Sequence, residues 1–166
     1  MKLLHAADLH LDSAFCGADA LTAEEKREAQ RRVLRRIFAC FREENCEMML
    51  LSGDLFDSKY VTPETEGLFL RLCEEIRSPI VIAPGNHDPY VAGSLYKSGR
   101  LPENVFVFSS TELQCFEPEG LKVRVFGYAF TSSALRQSPL VGSVPPEKGE
   151  FLHVLCAHGD LGDPIS

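Results

Sequence analysis

"MMLLSGDLFD", Met48 to Asp57, decides how this 166-residue chain is read. With Cys46 and Glu47 before it, the run to Ser52 reads as a buried strand, and it stops abruptly at Gly53 and two carboxylates, Asp54 and Asp57. The same texture recurs three times: "LLHAADLH" from Leu3, "IVIAPGNHD" from Ile80, and "HVLCAHGD" from His153. Each is an apolar strand (Leu3–Ala7, Pro79–Ala83, Phe151–Ala157) that ends in a polar cluster.

Helices separate the early strands. Thr22 to Glu44 carries the clearest helical signal: "TAEE" reads as a capping box with Thr22 as N-cap and Glu25 reaching back. Val33, Ile37 and Phe41, with Leu34 and Phe38 alongside, make its apolar stripe. A second helix opens at Thr62 with Pro63 in its first turn, and Leu68, Leu72 and Ile76 share one face. The order β-α-β-α-β implies parallel strands with right-handed crossovers. Beyond Asn104 the pattern changes. "VFVF" (Val105–Phe108) is a short strand, and Leu113–Phe130 reads as a hairpin turning at Pro118-Glu119-Gly120. Arg136–Glu150, with three prolines and two glycines, reads as loop. The expectation is a single α/β domain over residues 1–166, mixed or antiparallel in its second half.

A hydrophobic content of 45% and a charged content of 25% are ordinary for a globular chain. No run approaches the roughly 18 apolar residues of a membrane span. The six cysteines (Cys16, Cys40, Cys46, Cys73, Cys115, Cys156) form no CxxC pair and have no secretory context, so reduced thiols in the cytoplasm are expected. A net charge of −7 argues against a partner held mainly through phosphates. Seven of the seventeen Lys and Arg lie between Lys26 and Arg42. The plainer reading of that run is a solvated helix face laced with Glu24, Glu25, Glu28, Glu43 and Glu44; a DNA-facing stripe is the other.

In open parallel sheets, ligands bind beyond the carboxyl ends of the strands. Four strand ends at one edge gather Asp8, His10, Asp54, Asp57, Asn86, His87, Asp88, His158 and Asp160. So many carboxylates and imidazoles without Lys or Arg repel one another or are buried unpaired, and divalent cations resolve the conflict. Mixed carboxylate, imidazole and amide ligands suit Mn²⁺, Fe or Zn²⁺. Period-two geometry puts Asp8 and His10 on one side of an extended segment. His5 has the opposite parity and is expected to pack against a helix; His153 is read as a core or surface histidine.

The ordered series D-x-H (Asp8, His10), G-D-x-x-D (Gly53, Asp54, Asp57), G-N-H-D (Gly85–Asp88) and a later strand-end His158 resembles the calcineurin-like metallophosphoesterase superfamily. "ADLHLDSAF", "GDLFD" and "PGNHDPY" are most similar to its bacterial DNA-repair exonuclease branch, the SbcD- and YhaO-type proteins. The resemblance implies a β-sandwich flanked by helices in α/β/β/α layers. It implies two divalent ions, with Mn²⁺ favoured: Asp8 and His10 on one, Asn86 and His158 on the other, Asp54 bridging both. His87 then faces the scissile phosphate as general acid, Asp57 fixes its tautomer, and Asp88 and Asp160 order their loops.

The family closes its site with a later G-H-x-H, one His for each metal, and no such motif occurs in the chain through Ser166. The chain is therefore expected to be a truncated domain with one ligand missing per metal and with sheet edges and apolar surface uncovered. For the whole enzyme the resemblance implies a DNA exonuclease or endonuclease in which a hydroxide shared by two metals attacks phosphorus in line. It also implies a long coiled-coil, SMC-like ATPase subunit as partner, and a homodimer. The alternatives are a phosphoesterase for small phosphodiesters or phosphomonoesters, and an inactive fragment with an incomplete metal site.

Overall fold

The computed structural model describes residues 1–15, 17, 19–143, 146 and 149–159. Four strands, β1 (Leu3–Ala6), β2 (Met48–Ser52), β3 (Ile80–Ala83) and β4 (Val105–Val107), form one parallel sheet in sequence order. Its registers run Leu3 to Met48, Met49 to Ile80 and Ile80 to Val105. Helix α1 (Ala20–Glu43) joins β1 to β2, and α2 (Pro63–Glu75) joins β2 to β3. The link to β4 holds only a single 3₁₀ turn, Leu95–Lys97, in place of a helix.

A second sheet takes β5 (Gln114–Phe116), β6 (Val123–Gly127) and β7 (Leu152–Cys156) in that order. β5 and β6 pair antiparallel around Gly120, whose φ of +78° suits the turn, while β6 and β7 pair parallel. The second half is thus mixed. The described residues of 136–150 contain no helix or strand; Val144, Pro145, Glu147 and Lys148, like Cys16 and Asp160, lie outside the described residues.

Period-two alternation sorts the core into two layers. Met49, Leu51, Ile80 and Ile82 face the helices, packing on Leu34, Phe38 and Phe41 of α1 and Leu68, Phe69 and Leu72 of α2. Met48, Leu50, Val81 and Ala83 face the second sheet, packing on Val123, Val125, Phe108 and Cys156. The molecule is an α/β/β stack of the expected class. β1 and β7 are edge strands, and on β7 Leu152 and Leu155 are each about half exposed. No described helix is long and apolar enough to cross a membrane.

Four local expectations are corrected. Asp19, not Thr22, is the N-cap of α1: its carboxylate accepts from Thr22 N and from the Thr22 hydroxyl, so the first turn is already capped one turn before Thr22–Glu25. Val33 is 55% exposed, because the stripe runs through Leu34, Phe38 and Phe41, which face the sheet. His5 lies on the sheet face away from the helices, exposed, with Nε2 3.0 Å from Ser52 Oγ. The segment after β1 is not extended: Asp8, His10 and Asp12 have φ of 54°, 43° and 60°.

The basic run on α1 is answered locally. Arg27, Arg31, Arg35 and Arg36 pair with Glu24, Glu28 and Glu43, and buried Arg31 also approaches Glu64 of α2. Those cations are spent within the fold, which favours the solvated-face reading. Five described cysteines are free thiols, with Cys46, Cys73 and Cys156 buried.

Candidate metal centre

The loop after β1 is laid along the loop after β2 by backbone hydrogen bonds. Asp8 N donates to Gly53 O, His10 N to Asp54 O and Leu11 N to Leu55 O, at 3.1, 2.9 and 2.9 Å. This ladder, not strand periodicity, brings the Asp8, His10 and Asp54 side chains together, and their ligand atoms lie within 4.8 Å of one another. Asp54 itself has a φ of 52°. Left-handed non-glycine residues cost ~1–2 kcal/mol each, and here they gather at the very residues whose side chains converge.

Asp54 is the hub. Its side chain is only 5% exposed, with Oδ2 3.7 Å from His10 Nε2 and 3.3 Å from His158 Nε2. Oδ1 accepts from His87 N at 2.9 Å. His158 Nε2 is also 3.0 Å from Asn86 Oδ1. On the far side His87 meets His10 edge-on, ring centroids 4.8 Å apart, and its Nδ1 is 3.4 Å from Asp57 Oδ1. The structure therefore brings Asp8, His10, Asp54, Asp57, Asn86, His87 and His158 into one neighbourhood.

Two glycines make the approach possible. A Cβ at Gly85 would lie 2.2 Å from Asp54 Oδ1, and one at Gly53 would lie 2.5 Å from the His158 ring. Beneath the site, buried Asp88 accepts from Asp54 N, Leu55 N, Phe56 N and Gly85 N and from the Tyr96 hydroxyl. Burial pushes the Asp88 carboxyl above its ordinary range against the pull of those donors, and burial together with the Asp88 charge raises the Tyr96 phenol. Asp88 thus holds the Asp54 and Asn86 loops together from below.

Three supporting residues escaped the sequence reading. Gln30 of α1 donates to His10 O, Tyr128 donates to His158 O, and fully buried Asp12 accepts from the backbone and hydroxyl of Thr62, the N-cap of α2. Burial raises the Tyr128 phenol. A lone Gln in a charged helix and a Tyr beyond a strand carry no sequence signal for these roles.

The donor set fits divalent cations. A buried carboxylate sits between two imidazoles and an amide oxygen, and no described Lys or Arg pairs with it. An open cleft of about 640 Å³ is lined by Asp8, Asp54, Asn86 and His158 together with Tyr128, Phe130 and Leu135.

Comparison with known proteins agrees with this geometry. Over 171 aligned residues, covering 97% of the chain and 41% of the relative, it is 30% identical to the uncharacterized metallophosphoesterase YhaO of Bacillus subtilis strain 168. Over 92 residues, 53% of the chain and 23% of the relative, it is 32% identical to the SbcD component of the nuclease SbcCD of Staphylococcus epidermidis. The chain spans about two fifths of the length of the first and less of the second. Residues 1–165 match the model of the calcineurin-like phosphoesterases, and the chain, with its strand-end clusters converging on Asp54, belongs to that family.

Proposed function

We propose that the protein is a metal-dependent phosphodiesterase whose substrate is DNA, acting as an exonuclease or endonuclease in repair. The observation that carries the reading is Asp54, buried between His10 and His158 with Asn86 beside it and no described cation from the protein to balance it. Asp8 and His10 would hold one divalent ion, Asn86 and His158 a second, with Asp54 shared; Mn²⁺ is the favoured metal, with Fe or Zn²⁺ also compatible. Such a pair supplies charge neutralisation at the phosphoryl oxygens and activation of water.

The chain's own residues do the rest. His87 is 45% exposed and backed at Nδ1 by Asp57, which leaves Nε2 as the nitrogen that donates a proton to the departing oxygen. Asp88 keeps the loops bearing Asp54 and Asn86 in register. The likeness to a component of SbcCD supports a coiled-coil ATPase partner, and the family resemblance supports a homodimer. The free thiols favour a reducing, cytoplasmic setting.

The test sets linear duplex DNA against bis(p-nitrophenyl) phosphate, using the intact gene product with Mn²⁺. Hydrolysis of both, abolished by EDTA, is expected. Hydrolysis of the small diester without any cleavage of DNA would move the substrate to the small-phosphoester class, which the net charge of −7 favours.

A further inference from the structure

A second cleft, about 300 Å³, adjoins the metal-ligand cluster on the His87 side, lined by Asp57, Lys59, Tyr60, Asn86, His87 and Ser133. It shares Asn86 and Ser133 with the larger cleft walled by Tyr128 and Phe130. Two adjoining recesses therefore open at the reacting centre, one at Asp54 and His158 and one at Asp57 and His87, as a diester with a substituent at both ends needs.

Lys59 and Tyr60 stand out in the smaller recess. Among the described residues Lys59 is the only Lys or Arg lining either cleft, and it makes no ion pair with any of them. Tyr60 is 48% exposed and its hydroxyl has no hydrogen-bond partner among them. Both belong to a short loop that is held at each end. Ser58 N donates to His87 O at 3.2 Å, Tyr60 N to Asp57 O at 2.8 Å, and Thr62 N to Asp12 Oδ2 at 2.7 Å. A half-exposed aromatic and a free ammonium are thus held in fixed relation to the imidazole assigned to the departing oxygen. An aromatic face accepts any base by stacking, and a lysine beside it meets the next backbone phosphate.

We propose that Tyr60 and Lys59 form the leaving-side nucleotide subsite: Tyr60 stacks on the base attached to the departing oxygen, and Lys59 pairs with the phosphate that follows it. This rests on the phosphodiesterase reading above. Both are positioning residues for substrate and take no part in bond breaking.

The test uses the intact gene product with Mn²⁺ and two short single-stranded oligonucleotides, one with a base and one with an abasic residue on the leaving side of the cleaved bond. The wild type should favour the base-bearing strand through KM, by about tenfold. Tyr60→Ala should erase that preference with kcat unchanged, and Tyr60→Phe should restore it. Lys59→Ala should keep the preference and lower the slope of log KM against log salt by ~0.7. A preference that survives Tyr60→Ala, or an equal loss on both strands, overturns the subsite while leaving the phosphodiesterase reading intact. A wild type that cleaves neither strand but hydrolyses bis(p-nitrophenyl) phosphate overturns the subsite and the DNA substrate; one that hydrolyses none of the three overturns the phosphodiesterase reading as well.

Discussion

The side-chain amide of Gln30 clamps the backbone around His10: Nε2 donates to His10 O at 2.8 Å, and Oε1 accepts from Asp12 N at 2.9 Å. His10 and Asp12 both hold φ values near +50°, so one amide from α1 fixes two residues in a backbone conformation they resist. Ser13 adds a hydroxyl bond to the same carbonyl. Because His10 is a proposed ligand, loosening this clamp should weaken metal binding. Gln30→Ala is expected to reduce affinity for one Mn²⁺ equivalent by about 10–100-fold, as loss of outer-shell support commonly does. Gln30→Glu keeps the acceptor and loses the donor, and should fall between. Calorimetric titration with Mn²⁺, run beside thermal melts, separates this loss from a general loss of stability.

Gly85 offers a steric test of the same centre. A Cβ there meets Asp54 Oδ1 at 2.2 Å and Asp54 N at 2.6 Å, and the backbone atom cannot swing aside. Gly85→Ala should cost about 1–3 kcal/mol from overpacking. It should also displace the Asp54 carboxylate, so that Mn²⁺ content falls even at temperatures where the fold persists. Gly93→Ala is a control for the Cβ itself: open space surrounds that position, and only its φ of +86° opposes the change. It should leave metal content at the wild-type level. Urea unfolding and metal analysis of the two variants check both points.

The polar endings of β1, β2, β3 and β7 were legible because each follows an apolar run; parallel pairing carries the first three to one end, and β7 of the second sheet ends there too, with His158 against Asp54 and Asn86. The helix positions were legible from spacing, and Thr62 followed by Pro63 marked the start of α2 correctly. The course of the chain after β1 was not legible. Alternation predicts an extended segment through Asp8 and His10, yet tertiary hydrogen bonds to Gly53, Asp54 and Leu55 impose a left-handed path. His5 failed for a related reason: its parity was read against Asp8 and His10, which are not extended, and it lies on the face of β1 away from the helices, beside Ser52. Gln30 and Tyr96 act across 20 and 8 residues through single hydrogen bonds, and one sequence carries no signature for such contacts.

Asp88 has its own signature. Four backbone amides and the Tyr96 hydroxyl converge on its two oxygens. Asp88→Asn turns one acceptor into a donor facing donors, leaving buried groups unsatisfied at ~1–3 kcal/mol apiece, so about 3 kcal/mol of stability should be lost. Tyr96→Phe removes a single donor and should cost about 1 kcal/mol. Equilibrium urea denaturation gives both values. Equal losses in the two variants would show that the backbone amides contribute little to holding the Asp54 loop.

The Asp54 and His87 side chains are 5% and 45% exposed, and the contrast separates a buried hub from a group open to substrate. Asp54→Ala removes the carboxylate shared by the His10 and His158 sides, so both Mn²⁺ equivalents should go together. Retention of one ion at full occupancy would contradict the shared role. Among the described residues the His87 ring meets the site at the His10 ring edge and at Asp57, and the backbone bond from His87 N to Asp54 Oδ1 survives His87→Ala. Metal content should stay at the wild-type level while hydrolysis falls by about 10²–10⁴, the usual range for loss of a proton donor. Plasma emission spectrometry of dialysed protein, paired with single-turnover assays, measures both. Loss of metal in His87→Ala would make that imidazole a ligand and would leave the departing oxygen without its assigned donor.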